Sequence, residues 1–445
     1  MQGKQKGAAP KREERLARVE QGMKTAGVLG CTWAHYKDGQ VVESEALGNE
    51  TVARYKNGVL VKVDDSARDT LRETAPKLSV NKPQHIASLS KPVFAYLVLR
   101  MVEKGVLKLS DELYAYQPPN FFKEFPESQR GFLKDITVEM VLRHREGWVS
   151  PRKCALGSEP GESFTYSGFG FQWIQEILLK KTGQTLEQLA QEYVFEDLGM
   201  SSSSYISPTD KESKSTDTFS GNAANSLHTT PEDYVKFVKA CLAGKGLPKG
   251  CALFEFDSEF TMTKDTWACE QKIAKKDLEK LGWGLIFGLQ KEGDVVKAWH
   301  NGDQNYTRAF VAFDVTASGI GDVFVYVCHS SSQLDNCGFA LLETLLPEGL
   351  KLVPMETYMH QKLGFALNVR EGWHDEQKAI MQKLIGKGGS FDRLEAAPAP
   401  KKYLQAGLLG KTGSFAVKSS GGESVEQDQD DVIKPSTDKG PSASQ

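Results

Sequence analysis

Apolar and polar positions along this chain follow three regimes in turn. Near the N-terminus they alternate: CTWAHY and VVESEAL flank the turn residues Lys37, Asp38, Gly39 and Gln40. That pattern predicts a hairpin over Gly27 to Ala46. A helix near Glu14 to Thr25 precedes it, entered from a polar, basic arm. From Pro92 to Val106 the run PVFAYLVLRMVEKGV is apolar on nearly all sides and too long for a strand, so it predicts a buried helix. Pro92 fits its first turn, where a missing N–H costs least. Thr137 to His144, Gln172 to Thr182 and Leu186 to Phe195 repeat with helical spacing. So does Thr230 to Leu242, with Thr230 as cap, Pro231 at the first position and acids behind it. Strand patterns then return at Trp283 to Leu289, Val295 to His300, Arg308 to Phe313 and Val323 to His329. A closing helix is expected over Phe339 to Leu346.

Strands at both ends of the chain with helices between them predict a protein of the α and β class. Its antiparallel sheet, flanked by helices, draws on N- and C-terminal segments. The expected division is a flexible basic arm over 1–18, a discontinuous sheet domain over 19–109 and 231–364, and an inserted helical subdomain over 110–230. A partly helical extension over 365–412 and a disordered tail over 413–445 follow. The tail has few large apolar residues to bury, and its composition admits use as a docking segment for another protein.

The composition, 40% apolar and 25% charged, is that of a globular protein. A net charge of −3 supplies no field to attract nucleic acid or an anionic membrane. The N-terminus has no apolar leader core, and no run approaches the roughly 18 apolar residues of a membrane span. A cytoplasmic protein is therefore expected. Seven scattered cysteines suit free thiols better than a disulfide framework. The eight histidines show no HExxH and no close carboxylate pairing, and neither GxGxxG nor GxxxxGKS occurs. No metal and no cofactor is expected.

Ser-x-x-Lys occurs several times, at Ser79/Lys82, Ser150/Lys153 and Ser436/Lys439 among others, always in polar surroundings. Ser88-Leu89-Ser90-Lys91 differs because the buried helix follows directly. A spacing of three puts both side chains on one helical face. A lysine held neutral by desolvation can take the serine proton. The plainer alternative is that Ser88 caps the helix and Lys91 is solvated. Tyr166, in Tyr166-Ser167-Gly168, is a candidate proton shuttle as well as an ordinary packing residue. His300, at the end of the strand VVKAWH, could orient substrate or support the tyrosine, and Gly302 would let a ligand approach the backbone.

Taken in order, several segments resemble the class C β-lactamase-like serine hydrolases, a superfamily of penicillin-binding proteins, DD-carboxypeptidases, esterases and D-amino-acid peptidases. They are IASLSKPVFAYLVLRMVEKGVLKLSDEL (86–113), ITVEMVLRHREGW (136–148), EPGESFTYSGFGFQWIQEILLKKTG (159–183), VFEDLGM (194–200), NSLHTTPEDYVKFV (225–238) and AWHNGDQNYTRAFVAFD (298–314). The resemblance spans about residues 20–345. It implies Ser88 as acylated nucleophile, Lys91 as its base and Tyr166 as proton relay. His300 and Gly302 fall on a third motif, and the backbone N–H groups of Ser88 and Asp303 would form the oxyanion hole. One departure stands out: Gly168 occupies a place where Asn commonly contacts the lysine and the substrate acylamide. The resemblance therefore implies a small ester, amide or lactam substrate, with an esterase-like activity expected ahead of a β-lactamase or D-amino-acid peptidase. The rival class is a binding or scaffold protein that kept the fold and lost turnover.

Overall fold

A computed structural model describes residues 12–26, 28–50, 54–56, 59–61, 73–119, 123, 125–150, 155–207, 221–258, 275–304, 307–316, 319–330 and 341–350. The first eleven residues of the arm, most of the serine-rich loop after Ser207, the expected helix over Asp375 to Leu384, the extension and the tail lie outside them.

Helix α1 (Arg12–Ala26) starts within the expected arm, where its basic residues find partners: Arg15 ion-pairs with Glu43 at 2.9 Å, and Arg12 with Glu45. It leads into β1 (Val28–Lys37) and β2 (Gln40–Gly48), whose two-residue turn places Asp38 and Gly39 at φ 50° and 79°. Left-handed residues at both positions match the twist of the flanking strands. Short pairings follow: β3 (Arg54–Lys56) with β4 (Val59–Val61), β5 (Gln84–His85) with β8 (His228–Thr229), and β6 (Trp148–Ser150) with β7 (Ala155–Leu156). The C-terminal strands are β9 (Leu281–Trp283), β10 (Gly288–Glu292), β11 (Val295–Gln304), β12 (Thr307–Thr316) and β13 (Gly319–Ser330). With β1 and β2 they form a seven-stranded antiparallel sheet in the order β2-β1-β13-β12-β11-β10-β9. Strands from the N- and C-terminal parts of the sequence meet where β1 pairs with β13, as the distribution of strands predicted.

Two expectations are corrected. Trp283 to Leu289 is not one strand: Trp283 pairs with Gly288 across a tight turn closed by Gly284 N–H donating to Phe287 O (2.9 Å). A Cβ at Gly284 would stand 2.3 Å from Leu253 O, so the turn needs glycine. Nor does the next strand stop at His300. Pairing with β12 carries β11 on to Gln304, so His300, Gly302 and Asp303 lie inside a strand. Of the expected closing helix, the turn Leu342–Leu345 lies among the described residues.

The predicted buried helix is α2 (Ser90–Glu103), entered through a 3-10 turn over Ala87–Leu89. Eleven of its fourteen residues are buried, from Ser90 through Leu99 together with Met101. Each fully buried Val, Leu or Phe there contributes about 1.5–3 kcal/mol. Around it stand α3 (Val138–Leu142), capped by Thr137, α4 (Phe169–Thr182), ended by the left-handed Gly183, and α5 (Pro231–Leu242), capped by Thr230. Sheet side chains alternate between two cores. Val323, Val325 and Val327 pack with α2 on one face, while Phe324, Tyr326 and Cys328 pack with α1 on the other. No helix among the described residues is long and apolar enough to cross a membrane.

Candidate active site

Ser88 sits in the 3-10 turn at the head of α2, directly after Ala87, which is held at φ 50° although it is not glycine. A non-glycine residue in that region stores local strain and persists only where its surroundings over-determine it. Here they do. Ser90 Oγ donates to Ala87 O (2.6 Å) and accepts from Leu227 N–H (2.9 Å). Tyr205 Oη donates to Ser90 O (3.0 Å), and Tyr234 Oη to Leu89 O (3.1 Å). The second serine of the motif is thus a structural pin, and three buried side chains fix the turn that presents the first.

Lys91 Nζ lies 3.1 Å from Ser88 Oγ and donates to Ala224 O at 3.0 Å. The amine is nearly sealed from water, at 4% exposure. Burial lowers its pKa to about 7, and the Glu146 carboxyl pulls the other way. A neutral amine can donate to Ala224 and keep its lone pair for the serine proton. The sequence alternative of a solvated lysine describes Ser79/Lys82 instead: Lys82 is half exposed and ion-paired with Glu50 at 3.1 Å.

Tyr166 approaches from the loop before α4. Lys91 Nζ lies 5.0 Å from its ring centre, and Ser88 is a polar neighbour that favours the ionised phenol. Burial raises the phenol's pKa, so it enters any reaction protonated. His144 holds this loop in place, although the sequence reading assigned it no role. Its carbonyl accepts from Thr165 N–H (2.8 Å), its Nδ1 accepts from Ser167 N–H (3.2 Å), and its ring lies 4.4 Å from that of Tyr166. Both flanks of the tyrosine are therefore tied to one buried histidine. Trp283 joins the same aromatic group, 5.0 Å from His144 and 5.4 Å from His300.

On the other side runs β11. His300 is fully buried, donates from Nδ1 to Asn301 O (2.8 Å) and packs 5.9 Å from the Tyr166 ring. A Cβ at Gly302 would stand 2.2 Å from Ile86 O, so glycine here admits the backbone of the nucleophile turn. The sequence reading reserved that space for ligand. Asp303 ion-pairs with Arg308 on β12 at 3.0 Å and acts electrostatically on Tyr166. Pairing of β11 with β10 runs from Val295 to Trp299, so beyond Trp299 the strand is locally an edge of the sheet. Gly168 caps α4 beside the amine: a Cβ there would stand 3.7 Å from Lys91 Nζ and 3.1 Å from Ala224 Cβ.

The structure thus gathers Ser88, Lys91, Tyr166, Gly168, His300, Gly302 and Asp303 in one place. Three participants escaped the sequence reading. Ala224 acts through its carbonyl, which no side-chain pattern reveals. His144 and Glu146 lay within the quoted segment ITVEMVLRHREGW, the histidine at the end of the expected helix and the acid just beyond it, with nothing in the pattern to mark either. Among the described residues, no group of three His, Cys, Asp or Glu could hold a metal ion.

Comparison with known proteins agrees with this architecture. The Beta-lactamase family profile matches residues 16–335. The D-alanyl-D-alanine-carboxypeptidase/endopeptidase AmpH of Escherichia coli K12 is 23% identical over 219 residues, covering 41% of this chain and 57% of AmpH. The chain thus spans little more than half the length of that relative. The octameric penicillin-binding protein homologue of Pyrococcus abyssi superposes with a TM-score of 0.54 at 16% identity, over 79% of this chain and 81% of that one. A class C β-lactamase gives 0.51 at 15% identity, over 76% and 98%. These likenesses show the β-lactamase/transpeptidase-like fold. With the profile matched over more than two thirds of its length, the chain belongs to the Beta-lactamase family of serine hydrolases.

Proposed function

We propose that this protein hydrolyses small esters through an acyl-enzyme on Ser88. The observation that carries the reading is the buried Lys91 amine, near-neutral in pKa, 3.1 Å from Ser88 Oγ. Ser88 Oγ attacks the carbonyl carbon and its proton passes to Lys91 Nζ. The carbonyl electrons move to oxygen, where the backbone N–H groups of Ser88 and Asp303 stabilise the charge. As the intermediate collapses, Tyr166 relays the proton to the departing alcohol. Water then attacks the acyl group by the same route in reverse and frees the acid. His300 supports Tyr166 through ring packing.

Two features favour esters over lactams and D-peptides. Gly168 brings no amide to hold an acylamide carbonyl, and its contact with Ala224 leaves a larger side chain little room. His300 is buried with its Nδ1 bonded to the backbone, so the third motif offers no lysine to a substrate carboxylate. A lost charged hydrogen bond costs about 1.5–3 kcal/mol. The match to AmpH favours a second reading, D-peptide cleavage, which the same assay separates. A fluorophosphonate probe should label the protein and fail on Ser88→Ala. kcat/KM for p-nitrophenyl acetate and butyrate should exceed that for nitrocefin and a D-Ala-D-Ala peptide. A larger peptide or nitrocefin value overturns the ester ranking, and undiminished labelling of Ser88→Ala overturns the site. Absence of labelling in the intact protein would favour the scaffold.

A further inference from the structure

Glu146 is a fully buried acid in the turn between α3 and β6. Its charged neighbours pair elsewhere: Arg143 with Glu139 at 2.9 Å, and Arg145 with Asp257 at 3.7 Å. Glu146 instead meets the first turn of α4, where Gly168 and Gly170 carry no side chains. A Cβ at 168 would stand 3.7 Å from Lys91 Nζ, and one at 170 would stand 3.1 Å from Glu146 Oε1. Both carboxyl oxygens are buried with no hydrogen-bond partner among the described residues. Amine and acid thus lie against the same end of α4, beside positions two residues apart, both out of water.

We propose that Glu146 is a positioning residue for the Ser88 centre, a buried carboxyl that titrates jointly with Lys91 and so sets the pH range in which the amine is a free base. This rests on the Ser88 reading above. An isolated buried charge is costly, so each group is driven toward its neutral form unless the other is charged. Burial raises the Glu146 pKa to about 8 and lowers that of Lys91 to about 7, while each partner's charge opposes the shift. Groups coupled in this way titrate as a unit with two apparent values. The other groups facing the pair are otherwise engaged. Tyr166 stays protonated, His144 Nδ1 accepts a backbone N–H, His300 Nδ1 donates to Asn301 O, and Asp303 pairs with Arg308.

The test is the rate of fluorophosphonate labelling from about pH 5.5 to about pH 9.5, beside a 13C NMR titration of the Lys91 side chain in the Ser88→Ala background. The parent should show two ionisations in both measurements. Glu146→Gln, folded by circular dichroism, should lose one of them, and Glu146→Asp should keep two with altered spacing. A Gln profile that retains both ionisations, or differs from the parent by one constant factor at every pH, overturns the proposal. If the Gln variant fails to fold, the Asp variant decides, and a profile superimposable on the parent's overturns it. Because the NMR titration needs no turnover, failure of the Ser88 reading and failure of this one are distinguishable.

Discussion

At Lys91, desolvation and charge pull in opposite directions, and desolvation wins. The pKa falls from the ordinary lysine value to about 7, so at neutral pH a substantial fraction of the amine is free base. Removing either proton carrier should cost the chemical step roughly 10²–10⁴-fold. Lys91→Ala and Tyr166→Phe should therefore lower kcat for a chromogenic ester strongly, with unchanged circular dichroism. Near-normal turnover by Lys91→Ala would reject the mechanism. The same burial carries a stability consequence. A lysine whose folded pKa is depressed contributes stability that is complete above its unfolded value and lost as pH falls toward about 7. Lys91→Met should accordingly raise the melting temperature more at pH 6.5 than at about pH 10. An equal shift at both would show that the amine is not desolvated in solution.

At the level of elements, the site is a meeting of the α2 head with β11, and Gly302 sets their separation. A methyl group there would overlap Ile86 O, and since that atom is backbone, the strand and the nucleophile turn must move apart. Gly302→Ala should cost about 1–3 kcal/mol of stability through overpacking. It should also reduce kcat by more than tenfold, because a shift of about 1 Å in reacting groups costs of the order of 10²-fold. Denaturation midpoints and ester kinetics on the purified variant check both. Loss of stability with full kcat would show that the turn accommodates the methyl group without moving Ser88.

On the scale of the whole molecule, a cluster of buried and half-buried histidines ties the sheet to the site. His85 Nε2–H donates to Asn225 O (2.6 Å), its Nδ1 accepts from Thr307 (3.3 Å), and His329 donates to His85 O (3.2 Å). Burial lowers the pKa of both rings, His329 to about 4. A depressed folded pKa means that the unfolded chain binds protons first. Stability complete above about pH 6.5 is therefore lost as pH falls toward about 4. The melting temperature should drop across that window, and His329→Gln should flatten the drop; parallel curves would remove His329 from the account. Asn225 adjoins Ala224, whose carbonyl holds the Lys91 amine, so acid opening of this cluster should extinguish activity along with stability.

The sequence by itself determined the hairpin at Gly39, the buried helix after Ser88, the Thr230 cap and the alternating C-terminal strands. In each, the signal is local: a period, a turn residue or a cap that acts within a few positions. It also singled out Ser88 and Lys91 as partners, because three residues of helix fix their separation. What only the tertiary structure decided lies in contacts between distant segments. Trp283 to Leu289 reads as one strand by composition, yet a carbonyl of Leu253 dictates its turn. Gly302 reads as a glycine that admits a ligand until Ile86 is brought against it. The roles of His144, Glu146 and Ala224 carry no local signal, and their importance arises from bringing residues 53 to 133 positions further along the chain back to Lys91 and its surroundings. Burial itself, which moves the lysine and the glutamate toward a shared range, is a property of the packed molecule and of no segment alone.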